Sequence, residues 1–337
     1  PQTADFTFYG GLYRDVNLII VPETHFELAY CGSQGIKVTP VVNLEEKKAV
    51  VTVEAWVCGD ADMVTFEVNQ EKINASLEDG RAKAEFVIEN VHLWDGVDDP
   101  YLYTAKAFME NGDIVSTRFG CRKYYIDPQK GFFLNGHPYL LRGVSRHQDF
   151  KGVGNALTIE HHKKDMEIIK EIGATTLRLA HYQHAQEFYD LCDENGLIVW
   201  AEIPYITMHM KNGRANTLSQ MEELVVQNYN HPSIICWGLS NEITAASAVD
   251  DDLLENHRLL NNLCHRLDST RLTTMANVFM LETDSPILEI PDINSYNLYF
   301  GWYLGELEQN DEFFDEYHEK YPDRVIGFSE YGADANP

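Results

Sequence analysis

Two glutamates end strand-like runs far apart in the chain. Glu242 closes Ser233-Ile234-Ile235-Cys236-Trp237-Gly238-Leu239-Ser240-Asn241-Glu242, and Glu330 follows Arg324-Val325-Ile326-Gly327-Phe328-Ser329. Two carboxyl groups opposed across a sugar-sized hollow can break a glycosidic bond: one protonates the leaving oxygen and the other attacks the anomeric carbon. Such neighbours cannot both ionise cheaply, so the donor is expected to keep its proton to higher pH. Other polar residues end similar runs: Arg146, His147 and Asp149, then Arg178 and His181, then Glu202, Asn277, and finally Tyr296, Asn297 and Tyr299. The competing reading is chance, because a chain with 53 Asp and Glu places acids on many loops.

The elements needed to gather these groups are visible in the hydrophobic period. From about residue 36 to 126 the period is two, as in Ala49-Val50-Val51-Thr52-Val53-Glu54-Ala55-Trp56-Val57 and Ala84-Glu85-Phe86-Val87-Ile88. Turn signals such as Glu78-Asp79-Gly80 and Asn111-Gly112-Asp113 separate these runs, which predicts an antiparallel, immunoglobulin-like β-sandwich. After Asp127-Pro128, strand-like runs alternate with amphipathic helical ones, the first from about Thr158 with Ile159, Met166, Ile169 and Ile172 on one face and Gly173 as its stop. Further helices are expected through Phe188, Leu191 and Cys192, and around 217–229, 251–267 and 305–320. Repeated βα units indicate a parallel sheet clothed in helices. Seven strands are countable, so the expected architecture is a (β/α)8 TIM barrel lacking its last βα unit, with the rim at the strands' C-terminal ends as the place for chemistry. Gly10-Gly11-Leu12-Tyr13-Arg14-Asp15-Val16 and Leu18-Ile19-Ile20-Val21 read as a late hairpin of something larger.

Composition narrows the partners. The chain has 337 residues with 26 Lys+Arg against 53 Asp+Glu, a net charge of −27, which argues against nucleic acid as a partner. No apolar run reaches the roughly 18–20 residues of a membrane helix, so no membrane partner is expected. The six cysteines lie at long spacings without a Cys-x-x-Cys and read as small buried hydrophobes. Pro1-Gln2-Thr3 opens without a basic or apolar leader, so the compartment is left open with the cytoplasm as the favoured expectation. His231 reads as a turn or capping residue, His161-His162 as a solvated helix face, and Glu222-Glu223 and Asp250-Asp251-Asp252 as surface and helix N-terminal charge.

Five segments in order resemble glycoside hydrolase family 2. Asn230-His231-Pro232-Ser233-Ile234 with Trp237-Gly238-Leu239-Ser240-Asn241-Glu242 is similar to its acid/base segment, and Ser329-Glu330-Tyr331-Gly332 to its nucleophile segment. Arg142-Gly143-Val144-Ser145-Arg146-His147-Gln148-Asp149 and Arg178-Leu179-Ala180-His181-Tyr182 resemble its first two barrel strands, and Gly11-Leu12-Tyr13-Arg14-Asp15-Val16 the end of its jelly-roll domain. The resemblance implies three regions: a jelly-roll remnant at 1–35, the sandwich at 36–126 and the barrel at 127–337. It implies Glu242 as general acid/base and Glu330 as nucleophile of a retaining double displacement. Asn241 would bond the sugar 2-hydroxyl, Tyr299 and Arg178 would hold the nucleophile, and His181, His147 and Asp149 would line the sugar subsite.

The motif wording is similar to bacterial β-galactosidases, so terminal non-reducing β-D-galactosides are the expected substrates. The alternatives are β-glucuronidase or another exo-glycosidase of the family, such as β-mannosidase, or a non-catalytic carbohydrate-binding fragment. The net charge favours a neutral sugar. In the family the residues that read a sugar carboxylate lie beyond the nucleophile strand. Members are often oligomeric, and a homo-oligomer is compatible with the resemblance. Large metal-dependent β-galactosidases carry Glu-Thr-His after the third strand, where this chain has Ile206-Thr207-Met208. Ile and Met offer no oxygen ligand to a hard cation, so no essential Mg²⁺ and no other cofactor is expected there. A register slip onto His209 would reopen that question. A barrel without its eighth strand leaves two edges unpaired, so the isolated 337-residue chain is expected to turn over poorly.

Overall fold

The computed structural model describes residues 6–333; the Pro1-Gln2-Thr3 start lies outside them. Two four-stranded antiparallel sheets form the sandwich. In one, Lys48–Cys58 pairs with Ile36–Asn43 and Arg81–Glu89, and its last two residues also with His25–Phe26. In the other, the order is Ile114–Phe119, Tyr103–Phe108, Met63–Val68, Glu71–Ser76. Period two turns every second side chain inward. Arg81–Glu89 therefore buries Ala82, Ala84, Phe86 and Ile88 and exposes the residues between. These meet Val51, Val53, Val64 and Phe66 in one core.

The barrel follows. Seven parallel strands pair in sequence order: β1 Gly143–Arg146, β2 Thr176–Leu179, β3 Ile198–Glu202, β4 Ile234–Asn241, β5 Leu272–Val278, β6 Ile293–Asn297 and β7 Ile326–Glu330. Five helices lie between them: α1 Ile159–Glu171, α2 Gln186–Asn195, α3 Arg214–Asn228, α4 Asp251–Leu267 and α5 Gln309–Lys320. The β5–β6 connection, where no helix is predicted, holds one short 3₁₀ turn at Pro286–Glu289. Leu177, Leu179, Val199, Ala201, Trp237 and Tyr296 pack against the helices' Met166, Phe188, Met221 and Leu260.

A small sheet of Tyr124–Asp127, Gly131–Leu134 and His137–Pro138 sits between the two bodies. Phe132 and Leu134 pack with Ile198, Ile235, Cys236 and Ile293 from the strand starts, sealing the barrel's N-terminal end. Trp94 Nε1 donates to Asp193 O at 2.9 Å, and Arg118 reaches Asp190 and Glu194 across the seam. Gly196, at φ +72°, ends α2 there; a Cβ on it would lie 1.9 Å from Gly96 O. Only glycine fits both the left-handed backbone and that approach.

Four expectations are corrected. Gly10–Val21 forms no strand; it is a largely exposed irregular strap, because nothing in the described residues pairs with it. His162 is 3% exposed rather than solvated, drawn in by Arg146. Ile172 is exposed, since the helix already ends at Glu171. Of the six free cysteines, Cys121, Cys192, Cys236 and Cys264 are buried, whereas Cys58 is exposed at a strand end and Cys31 is half-buried. Among the described residues no helix is long and apolar enough to cross a membrane.

Candidate active site

Register decides which strand-end residues face the barrel interior. In parallel pairing, partners across the ladder share a face. Arg178 pairs with Ser145 and Trp200, whereas Arg146 pairs with Leu179, which is packed against the helices. Arg178 therefore points inward and Arg146 outward. Outside, Arg146 binds Asp165 at 2.6 Å and donates to His184 Nδ1 at 3.0 Å and His162 Nδ1 at 3.1 Å. Burial and the Arg146 charge push the His162 imidazolium down to about 4 and that of His184 well below its ordinary value. Both rings are thus neutral acceptors. His184 Nε2 then donates to Ala180 O at 3.0 Å, which anchors the turn carrying His181.

Inside, Arg178 is the hub. Its Nε donates to Glu202 Oε2 at 2.9 Å and its Nη2 to Glu202 Oε1 at 3.0 Å and Asn241 Oδ1 at 2.7 Å. Its Nη1 donates to Glu330 Oε1 at 2.6 Å. His181 Nδ1 also meets Glu202 Oε1, at 2.7 Å, and its Nε2 lies 3.7 Å from Glu330 Oε1. Burial alone would raise the Glu202 carboxyl and lower the Arg178 guanidinium; their mutual charge reverses both, so Glu202 is held below the usual carboxylate range and Arg178 above its own. Glu202 fits there because its ladder partner is Gly238, where a Cβ would lie 2.5 Å from that of Glu202.

Glu330 receives a second donor on its other oxygen, the Tyr299 hydroxyl. Burial, then the Glu330 charge and this hydrogen bond, push the Tyr299 phenol far up, so it stays a donor; Glu242 contributes in the same direction. Asn297 links the second carboxylate to the cluster. Its Nδ2 donates to Glu242 Oε1 at 2.9 Å and approaches Asn241 Oδ1 at 3.3 Å, while its Oδ1 accepts from Ser329 Oγ at 2.7 Å. A chain of contacts thus runs Glu242–Asn297–Asn241–Arg178–Glu330. Glu242 itself sits at φ +46°, a left-handed backbone that costs a side-chain-bearing residue roughly 1–3 kcal/mol. The Glu242 N–H to Ala276 O bond, 2.8 Å, helps hold it there.

The arrangement gathers Arg178, His181, Asn241, Glu242, Tyr299 and Glu330 at one end of the barrel. His147 stands at its edge, half-buried, its ring 5.2 Å from His181 and its Nδ1 3.4 Å from the Tyr182 hydroxyl. Asp149 does not join the cluster in this structure. It is exposed on the loop beyond β1, close enough for its charge to act on Tyr182. Three further residues contribute to the site. Glu202 and Asn297 were visible as strand-end residues, but their parity and partners were not. Phe6 had no signal: it lies just ahead of the strap, its ring 5.1 Å from His147 and 5.7 Å from His181.

His209 spends both ring nitrogens within the protein, on the Tyr205 hydroxyl at 2.5 Å and Asp252 Oδ2 at 2.8 Å. Asp190, Asp193 and His231 offer atoms within 4.8 Å of one another at the seam. Arg118 binds Asp190, while Asp193 binds Ser233 N–H and His231, which answers those groups internally.

Comparison with known proteins gives the family. Residues 127–337 match the profile described as "Glycosyl hydrolases family 2, TIM barrel domain", and residues 24–122 that of "Glycosyl hydrolases family 2". The chain belongs to glycoside hydrolase family 2. A curated β-glucuronidase of Bacteroides fragilis is 38% identical over all of this chain and 51% of its own length. A β-galactosidase of Thermoanaerobacterium thermosulfurigenes is 31% identical over 87% of this chain and 41% of its own. Among solved structures, an FMN-binding β-glucuronidase from Facaelibacterium prausnitzii L2-6 superposes with TM-score 0.94 and 44% identity, over all of this chain and 54% of that one. The chain therefore spans about half the length of the relatives it matches.

Proposed function

We propose that this family 2 chain carries the catalytic centre of a retaining exo-glycosidase acting on β-D-glucuronides. The observation that carries the reaction type is the contact chain from Glu242 to Glu330, which serves both carboxylates from one cluster. Glu330, with a donor on each oxygen, is the nucleophile, its carboxyl held in a fixed orientation with its free electron pairs directed. It attacks the anomeric carbon while Glu242 gives its proton to the departing oxygen. Glu242 then takes a proton from the water that cleaves the glycosyl-enzyme. Arg178 and Tyr299 release part of the Glu330 charge to the sugar as the bond forms and recover it when the bond breaks. Asn241, held by Arg178 and Asn297, presents its amide to the sugar 2-hydroxyl.

The choice of sugar rests on the relatives. Curated proteins named β-glucuronidase align over essentially the whole chain, whereas the curated β-galactosidases of Thermoanaerobacterium and Thermoanaerobacter align over 87% of it, and a solved Bacteroides fragilis structure described as a β-galactosidase covers 93%. The net charge of −27, which favoured a neutral sugar, is a weak guide: charges on the surface are screened beyond roughly 8–10 Å at physiological salt. The galactosidase reading retains the support of the Thermoanaerobacterium match. The test is a panel of nitrophenyl β-D-glycosides with the purified protein. Glucuronide turnover should exceed galactoside turnover at least tenfold, and Glu330→Gln should abolish both. Galactoside preference would overturn the sugar assignment, and a Glu330→Gln variant within tenfold of wild type would overturn the mechanism.

A further inference from the structure

We infer that His209 is a positioning residue for the acid/base step: it locks the loop after β3 against the loop after β4 and thereby fixes Asn241 and Glu242. The inference rests on the glycosidase reading above and assigns a role to a residue outside its machinery.

The β3 loop continues the sheet past its last regular pair. Asn241 N–H donates to Tyr205 O at 3.0 Å and Thr207 N–H donates to Asn241 O at 3.0 Å, a parallel bridge between Ile206 and Asn241. Both backbone groups of Asn241, the residue before Glu242, are thus held by this loop. The bridge is flanked by two left-handed residues that are not glycine, Thr207 at φ +63° and Glu242 at φ +46°. Thr207 is β-branched, for which that backbone is especially unfavourable. Such a pair persists only when the surroundings dictate it.

The dictating contacts converge on His209. Its ring, 5% exposed, stands between the Tyr205 hydroxyl at 2.5 Å and the Asp252 carboxylate at 2.8 Å, and its own N–H donates to Ser247 Oγ at 2.7 Å. Asp252 lies in the first turn of α4, where Arg214 of α3 holds it at 2.5 Å. His209 therefore ties the β3 loop, through Tyr205, to two helices and to the β4 loop. Ala246 N–H to Thr207 O, 3.0 Å, closes the same loop-to-loop seam. With the clamp released, Thr207 and Glu242 can relax toward ordinary backbone, and the Glu242 carboxyl swings off the leaving oxygen.

The test compares His209→Ala and the milder Tyr205→Phe, which keeps the ring and removes the hydroxyl. Each is assayed on an activated dinitrophenyl glycoside and on an alkyl glycoside, with rates normalised to sites titrated by a mechanism-based fluorosugar. Only the poor alkyl leaving group needs the proton of Glu242. The clamp predicts a 10–100-fold loss of kcat/KM, which reports the leaving-group step alone, on the alkyl substrate and under threefold on the activated one. A merely structural defect lowers both equally or only the titrated fraction, and that result, or no loss at all, overturns the inference. If His209→Ala yields no folded protein, Tyr205→Phe decides alone. Glu242→Ala on the same pair separates the two claims: without a leaving-group split there, the acid/base assignment itself falls; with it, the outcome for His209 stands by itself.

Discussion

Glu202→Gln tests the electrostatic frame of the site. Glu202 is 1% exposed and accepts three hydrogen bonds, from Arg178 Nε and Nη2 and from His181 Nδ1, at 2.9, 3.0 and 2.7 Å. The substitution keeps the shape and removes the charge. Deleting one partner of a buried ion pair costs about 3–5 kcal/mol when the other is stranded. Here Arg178 keeps Glu330 and Asn241, which places the expected loss at the lower end, about 3 kcal/mol. Such a loss corresponds to a fall in Tm of roughly 6–12 °C for a domain of barrel size. The pH dependence follows from the direction of the Glu202 shift. Its folded-state value lies below the ordinary one because Arg178 and His181 outweigh burial. Its stabilisation is then complete above the unfolded value of about 4.3 and is lost as pH falls through the folded value. Urea denaturation of wild type and variant should therefore give a constant gap from about pH 7 down to about pH 5. Below about pH 4 the gap should narrow, as wild-type Glu202 takes up its proton. A gap under about 1 kcal/mol at neutral pH, or one that stays constant down to the acid limit of folding, would refute the claim that Glu202 is an ionised partner of Arg178.

Tyr299→Phe removes one of the two donors on Glu330, a hydrogen bond to a charged group worth about 1.5–3 kcal/mol. Steady-state kinetics should show kcat reduced about 10–100-fold with KM moving less, and a loss under threefold would count against a direct role. Gly196→Ala should destabilise by at least about 2 kcal/mol in urea, because a Cβ there meets the Gly96 carbonyl at 1.9 Å on a left-handed backbone. A change under about 0.5 kcal/mol would mean that the sandwich and barrel do not meet as closely as described.

The sequence made the barrel readable because its strands announce themselves by length and its helices by period. Leu177 and Leu179, Val199 and Ala201, and Met166 and Ile169 all fall where these patterns put them. The shorter pairings were harder to read. Glu71–Ser76 and Ile114–Phe119 are edge strands with little buried apolar surface, so they lack the alternation that marks Arg81–Glu89. The strap at Gly10–Val21 carries an apolar run, Leu18-Ile19-Ile20-Val21, yet no neighbouring strand among the described residues gives it a ladder. Hydrophobic pattern proposes a strand; only a partner makes one.

At the site, the ends of the strands were legible and the faces were not. Arg146 ends β1 and Arg178 lies one residue before the end of β2, and the two look equivalent in a list of rim residues. A single step of register separates them: Arg146 pairs with Leu179 and joins the helical shell, whereas Arg178 pairs with Ser145 and enters the barrel. Parity also explains Glu202, whose inward position opposite Gly238 makes it the counter-charge that Arg178 needs. An arginine that entered the hollow with Glu330 alone would bring one cation to one anion and leave most of its five donors unanswered. With Glu202, Asn241 and Glu330 together four of the five donors are answered, the Ser329 carbonyl lies 3.4 Å from Nη1, and Glu330 is held from a fixed point rather than by a free side chain. The residue that orients Glu330, the proposed nucleophile, is thus itself oriented by a second carboxylate, Glu202. A search for catalytic residues by type and spacing registers such a group only as one more acid at a strand end.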